Sequence, residues 1–248
     1  MTGSTNRDAA DGRDGDVFTA DVQTAGRGRL DHAWLSPSGE NLLMSAVVGI
    51  DEMPPEEVAT LPLLAGLAVA ETVEGLLGKA DAATVWIKWP NDILIAAPAG
   101  VTSKVCGILC ERLDARVIIG IGMNVNQTAF DATLDGRATS LCLTAGRRFS
   151  VAAVRDAVLG RLGELLVLWR REGFRCLWPN VAARDFLKGR RISVARTDGD
   201  TAPAEGVCEG ICPDGALALA GERIYAGEAH VGPPLRAVRG NVEEKGMT

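Results

Sequence analysis

Residues 104–125, KVCGILCERLDARVIIGIGMNV, contain two long apolar runs with little more than Asp114 between them. This spacing predicts a hairpin of buried strands over 104–113 and 115–125. A buried hairpin needs neighbouring strands and a covering layer. DVFTADV (16–22) reads as one strand and NLLMSAVVGI (41–50) as a second, buried one. TVWIKWPNDILI (84–95) reads as strand, break, strand, because Pro90 interrupts it. For the covering layer, residues 54–80 carry helix signals at both ends: prolines and glutamates open the segment, and Gly78 with Lys79 closes it. Its middle is nearly all apolar, as expected of a core helix, and Pro62 should delay its start or kink its first turns. Residues 150–174 form an amphipathic pattern that puts Leu162, Leu165, Leu166 and Trp169 on one face. A short helix is expected from Ser4 to Ala10, with Ser4 or Thr5 near its cap.

From about Lys188 the texture changes to short strands punctuated by Asp-Gly and Gly-Glu turns. The expectation is an α+β chain: a mixed β-sheet with helices over 1–186, a small β barrel or sandwich over 187–238, and a tail over 239–248.

The net charge of −6 leaves no basic excess for non-specific nucleic-acid binding. The first fifteen residues are polar and unlike a secretory leader, and no uninterrupted apolar run looks long enough to span a membrane. None of the six cysteines forms a C-x-x-C pair, which points to free thiols in a reducing cytoplasm. Cys208 and Cys212 are poorly spaced for a metal and have no nearby sequence histidine, so no metal ligand is assigned. Several chemistries lack their signatures. There is no phosphate-binding G-x-x-x-x-G-K-[ST] loop, GIGMNV fails the dinucleotide pattern at Val125, and no G-x-S-x-G elbow appears. His32 and His230 lie outside any H-E-x-x-H context, which argues against a zinc hydrolase.

What remains is Arg27 and Arg29, each beside a glycine, in QTAGRGR. Arginine presents a planar fork of donors that suits carboxylate and phosphate. Glycines allow close approach, although fixing their backbone costs roughly 1–2 kcal/mol per residue. The pattern predicts a loop that is mobile when empty and closes on an anion. Taken alone it fits a solvated turn better, and one repeat does not make an RNA-binding arginine-glycine tract. KWPND (88–92) reads either as a Trp89-anchored turn with an Asx cap or as a turn aiming Lys88 and Asp92 into a pocket. Lys104 is a solvated strand end, or it completes a cationic clamp with Arg27 and Arg29.

The order of these pieces is more specific than any one of them. Ser4-Thr5-Asn6, Gln23 to Arg29, Trp34 to Ser45, Lys88 to Asp92, Lys104 to Glu111 and Gly120 to Asn126 together resemble the catalytic region of biotin protein ligases, over about half the chain. The resemblance implies a class II synthetase-like catalytic domain followed by an SH3-like barrel. It also implies activation of biotin with ATP and Mg²⁺ to biotinyl-5′-AMP, then transfer to a lysine of a biotin carboxyl carrier protein. By the same resemblance, Lys104, Arg27 and Arg29 are the catalytic cations. Biotin and ATP would be bound by Ser4, Thr5, Asn6, Gln23, Gly26, Arg27, Gly28, Arg29, Trp34, Lys88, Asp92, Lys104, Gly107 and Asn124.

Two departures stand out. Leu30-Asp31-His32 replaces further glycine and arginine, which lowers the loop's charge and should loosen the intermediate. Relatives also carry a strand ahead of the Ser4 element, so the expectation is either a late recorded start or an incomplete sheet edge and biotin site with an exposed, aggregation-prone neighbouring strand. No helix-turn-helix precedes the catalytic region, consistent with a cytoplasmic monomer or homodimer that binds neither DNA nor membrane. The rival readings are a lipoate–protein ligase, a biotin- or nucleotide-binding protein impaired by its short start, and an acidic domain whose Gly-Arg loop merely turns the chain.

Overall fold

The computed structural model describes residues 1–78, 81–97, 101–134, 136–196 and 202–232. The expected tail over 239–248, the end of the expected β unit beyond 232, Lys79 and the turn at 197–200 lie outside these residues.

Six strands form the larger sheet: β1 (Val17–Thr19), β2 (Leu42–Gly49), β3 (Thr84–Lys88), β4 (Asp92–Ala96), β5 (Thr102–Leu113) and β6 (Arg116–Met123). Their order is β1-β2-β6-β5-β4-β3. The expected hairpin is present, with β5 and β6 paired from Cys106–Met123 to Leu113–Arg116 around Asp114. The expectation of a mixed sheet is corrected, because every strand pair in it is antiparallel. The reason is the crossover after β2. It carries the chain across to the far edge at β3, and from there β3, β4, β5 and β6 follow as successive antiparallel neighbours. Among the described residues, parallel pairing is confined to isolated bridges such as Thr2–Gln23 and Lys104–Ala138.

That crossover is helical. The single helix expected over 54–80 divides into α2 (Pro55–Val58) and α3 (Leu61–Leu77). Pro62 falls in the first turn of α3, where a missing N–H costs nothing, so it marks the true start. Pro55–Leu77 is in fact long and apolar enough to cross a membrane, contrary to the sequence reading, but 72% of its most apolar window is buried inside the fold. Its apolar surface is therefore already covered by the sheet and by α5 (Val151–Glu172). Leu162, Leu165 and Trp169 of α5 enter the core, with Leu166 at its margin, and the Trp169 indole donates to Thr60 Oγ1 at 3.2 Å. The first strand is shorter than expected. After Thr19, Ala20 still bonds Leu43, but the chain then bends away from the ladder.

The expected short N-terminal helix is α1 (Thr5–Asp8), with Ser4 at its N-cap position. Residues ahead of it are tied down: Thr2 and Gly3 exchange backbone hydrogen bonds with Val22, Thr24 and Ala25. β1 forms the sheet edge on this side, and Val17 is 40% exposed.

α4 (Leu141–Ala145) and α6 (Trp178–Ala182) complete the helices, and residues 191–231 form a second antiparallel sheet. Its strands are β7 (Arg191–Ala195), β8 (Ala204–Ile211), β9 (Leu217–Leu219), β10 (Glu222–Ile224) and β11 (Glu228–Val231), in the order β10-β9-β8-β7-β11. Two anchors join the sheets. Buried Trp89 donates to Gly215 O at 3.1 Å, and buried Asp185 accepts from the Ile211 amide at 2.9 Å.

All six cysteines are free thiols. Cys106 and Cys208 are buried, and burial holds their thiols protonated, with Cys208 pushed up to about 12 and Cys106 raised still further. Alkylation requires the thiolate and access to it. Brief treatment of native protein at pH 8 should therefore label exposed Cys176 well before Cys106 or Cys208, as read by peptide mass. Equal labelling would show that the core opens on the timescale of the reaction.

Candidate active site

A cavity of about 910 Å³ opens on the sheet face opposite α3 and α5. Its floor is made by β5 and β6, where Gly107 pairs with Gly122 and Leu109 with Gly120. These glycines serve close approach. A Cβ on Gly122 would lie 2.6 Å from the Trp34 ring, and one on Gly120 would lie 2.2 Å from Asn6 Oδ1. Side chains from the N-terminal segment thus lie directly on bare backbone.

One end of the floor is polar. Ser4, Thr5 and Asn6 are all buried. Gln23 Oε1 accepts from the Thr5 amide at 2.7 Å and from the Thr5 hydroxyl at 3.1 Å. Ser45, on β2, lies within 2.7 Å of Thr5 Oγ1 and 2.6 Å of Asn6 Oδ1. The helical turn at Thr5–Asp8 presents Thr5 and Asn6 to the sheet, so residues far apart in sequence share one network.

The Gly-Arg stretch is held by its own backbone hydrogen bonds. Trp34 N bonds Gly26 O at 2.9 Å, and Gly28 N bonds His32 O at 2.6 Å, forming a small hairpin. A 3₁₀ turn over Arg29–Asp31 closes it, with Leu30 in left-handed backbone angles (φ 51, ψ 41). Leu30 therefore occupies a conformation that glycine takes more easily. Gly26 packs on the Trp34 carbonyl and does not line the cavity, unlike the other thirteen residues assigned from the sequence.

Each of the three candidate cations faces an internal acceptor. Arg27 Nη2 lies 2.9 Å from Glu111 Oε1. Lys104 Nζ lies 2.6 Å from Asp92 Oδ1 and 5.6 Å from the centre of the Trp34 ring, within cation–π range. Arg29 donates to Gly227 O at 3.0 Å and to Asn91 Oδ1 at 3.4 Å. Burial lowers the Arg29 pKa from its usual value while Asp92 and Glu228 oppose the shift, and a guanidinium keeps its charge regardless. The cavity thus holds positive charge that its own carboxylates partly offset, an arrangement an incoming anion can displace.

The two readings of KWPND hold in part. Trp89 anchors the turn from the core, while Lys88 and Asp92 line the cavity. Asn91 makes no Asx cap; its amide bonds Ile108 O at 2.7 Å and its oxygen receives Arg29. Lys104 sits in the third position of β5, and its backbone also pairs with Arg137 and Thr139. Asn124 lines the cavity, yet its amide is committed to Thr139 O at 3.0 Å, holding residues 136–139 against the sheet. The sequence reading gave Ser45, Glu111 and Gly120 no role and Asn91 only a place in the turn, although all lay within the quoted motifs. It also missed Gly227, Glu228 and Arg137. Glu228 and Ala229 bring the second sheet to the cavity wall. Among the described residues no group of three or more His, Cys, Asp or Glu gathers as a metal site.

The model of the biotin/lipoate A/B protein ligase family matches residues 6–126. The chain is similar to a biotin–[acetyl-CoA-carboxylase] ligase of Mycobacterium tuberculosis, with 34% identity over 88% of this chain and 80% of that protein. It is similar to one of Paracoccus denitrificans at 31% identity, over 89% of this chain and 92% of the relative. Among solved structures, a biotin protein ligase from Aquifex aeolicus in complex with biotin and ATP superposes with a TM-score of 0.79 at 27% identity, covering 93% of this chain and 95% of that one.

Proposed function

The chain belongs to the biotin/lipoate A/B protein ligase family, and from that premise we infer that it acts as a biotin–[acetyl-CoA-carboxylase] ligase. It activates biotin with ATP and passes the biotinyl group to a lysine of a biotin carboxyl carrier protein. In the first step the biotin carboxylate attacks the α-phosphorus, forming a P–O bond as pyrophosphate leaves. In the second, a neutral lysine amine attacks the acyl carbon, AMP leaves, and the amine loses a proton.

The observation that carries this reading is the convergence of Arg27, Arg29 and Lys104 on one cavity floored by a buried polar cluster. Two anions must meet in the first step, and fixed cations reduce their repulsion and stabilise the charge that develops in transfer. We assign Lys104, Arg27 and Arg29 to that role. The polar end, Ser4, Thr5, Asn6 and Gln23, suits the ring of biotin, with its ureido donors and acceptor. Trp34, Lys88, Asp92 and Gly107 then border the carboxylate and nucleotide, and the hairpin carrying Arg27, Gly28 and Arg29 shields the adenylate from water.

A Mg²⁺ ion fits the reaction as a partner of the ATP phosphates, where it would neutralise charge on the leaving pyrophosphate. With no three-carboxylate cluster among the described residues, the phosphates would supply most of its ligands, and the carboxylates lining the cavity are Asp92, Asp131 and Glu228. Residues 1–186 are the catalytic domain in this reading, and the β unit that follows, described as far as residue 232, is SH3-like and its β11 contributes to the cavity wall. The protein works in the cytoplasm as a monomer or homodimer, without DNA or membrane as a partner.

The test is biotin-dependent exchange of labelled pyrophosphate into ATP, run beside lipoate. Exchange with biotin and none with lipoate is the expected result. Exchange with lipoate alone would move the chain to the other branch of its family. No exchange from folded protein that still binds biotin would favour a binding-only role.

A further inference from the structure

Glu111 does not line the cavity, yet it holds two residues that do. It lies on β5, on the same face as Gly107 and Leu109 by the two-residue alternation of a strand. Its Oε2 accepts from Asn6 Nδ2 at 2.6 Å, and its Oε1 accepts from Arg27 Nη2 at 2.9 Å. One carboxylate therefore joins the buried polar floor to the Gly-Arg hairpin.

The chemistry of this junction is asymmetric. Asn6 Nδ2 directs its hydrogens to Glu111 and, at 3.4 Å, to Leu109 O. Asn6 Oδ1 must then face Ser45, which donates to it at 2.6 Å. The reverse orientation would set Asn6 Oδ1 against Glu111 Oε2, acceptor facing acceptor. Because an ionised carboxylate has no donor, Glu111 fixes which way the Asn6 amide points. That choice passes along the row, since Ser45 has one hydroxyl proton and two neighbours, Asn6 Oδ1 and Thr5 Oγ1, within reach. At its other end the carboxylate holds Arg27, whose side chain is 46% exposed and would otherwise be free to swing into water.

We propose that Glu111 is a positioning residue for biotin recognition: its carboxylate sets the hydrogen-bond polarity of the Asn6–Ser45–Thr5 row and, through Arg27, docks the ligand loop on that row. This rests on the reading of the cavity as the biotin site. A carboxylate is required because two donors converge on it from opposite sides, and a neutral amide of the same shape offers one acceptor oxygen and turns a donor toward the second partner. Charge-assisted bonds of this kind are about twice as strong as neutral ones.

Glu111→Gln tests the proposal, with Glu111→Asp and Asn6→Ala beside it. Biotin affinity is measured by calorimetry, and KM for biotin and for ATP by pyrophosphate exchange. Glu111→Gln should raise both Kd and KM for biotin about tenfold, leave KM for ATP within about twofold, and leave the thermal transition nearly unchanged. Glu111→Asp, which keeps the acceptor pair on a shorter stem, should recover part of the loss. In an Asn6→Ala background, Glu111→Gln should add clearly less than it does alone, about two- to fourfold, because the missing amide removes one of its two routes and leaves only the hold on Arg27.

Unchanged biotin affinity in folded Glu111→Gln overturns the proposal, as does a full tenfold effect persisting without Asn6. A loss shared equally by biotin and ATP would make Glu111 a general support of the fold and overturn it too. A parent protein that neither binds biotin nor exchanges pyrophosphate overturns the functional reading and this inference together. A parent that does both isolates the result to Glu111.

Discussion

Replacing Lys104 with alanine should reduce biotin-dependent pyrophosphate exchange roughly thirty- to a thousand-fold, about 2–4 kcal/mol of transition-state stabilisation, by analogy with the loss of one preorganised donor at developing charge. The local geometry argues for the upper part of that range. Lys104 Nζ lies 2.6 Å from Asp92 Oδ1, so its removal also leaves an uncompensated carboxylate in the cavity that must receive a carboxylate and a triphosphate. Stability should barely change. The pair is part-exposed, at 35% and 18% of the two side chains, and such pairs contribute about 0–1 kcal/mol. Steady-state exchange at varied biotin and ATP, with a melting curve for each protein, separates the two effects. A folded Lys104→Ala variant that matched the parent in exchange would remove Lys104 from the catalytic set.

Gly120→Ala should cost about ten- to a hundred-fold in kcat/KM for biotin, through shape alone. The added methyl would stand 2.2 Å from Asn6 Oδ1, 2.9 Å from its Cγ and 3.0 Å from its Nδ2, so the whole amide must move. Overpacking of this kind costs about 1–3 kcal/mol. β6 cannot yield easily, because it is paired along its length with β2 on one side and β5 on the other. The displacement therefore falls on Asn6 and on the bonds it makes with Glu111 and Ser45. Circular dichroism should be unchanged while biotin affinity collapses. Unchanged affinity would mean that Asn6 lies outside the biotin subsite.

Both substitutions act on features that differ in how visible they were beforehand. The buried strands at 41–50 and 104–125 announce themselves because apolar runs have no other economical place than a covered sheet. The start of α3 is equally legible, since Pro62 fits only its first turn. What the pattern does not encode is adjacency. That β2 pairs with β6 rather than β3 follows from where the helical crossover lands, and hydrophobic periodicity carries no such information. In the site, arginines beside glycines invite attention in an acidic chain. A glutamate near the end of a strand does not, because solvated strand ends commonly carry one. Gly120 was lost for another reason: as part of a failed dinucleotide pattern it had no apparent purpose, whereas its purpose is to be absent where Asn6 sits. The Gly227 carbonyl that grips Arg29 is backbone, and no side-chain signature could have revealed it.

That grip links two moments in the life of the polypeptide. Gly227 lies 198 positions after Arg29. At elongation rates of about 5–20 residues per second, the acceptor for this arginine is made roughly 10–40 s after the arginine itself. The polar floor, drawn from Ser4 to Glu111 and closed by Gly120, can form while the ribosome is still at work. The arginine hairpin acquires its last acceptor only when the second sheet has been synthesised. Docking of the hairpin on the second sheet is thus a late event in vectorial folding, and a chain released early would have the polar floor without a secured hairpin above it.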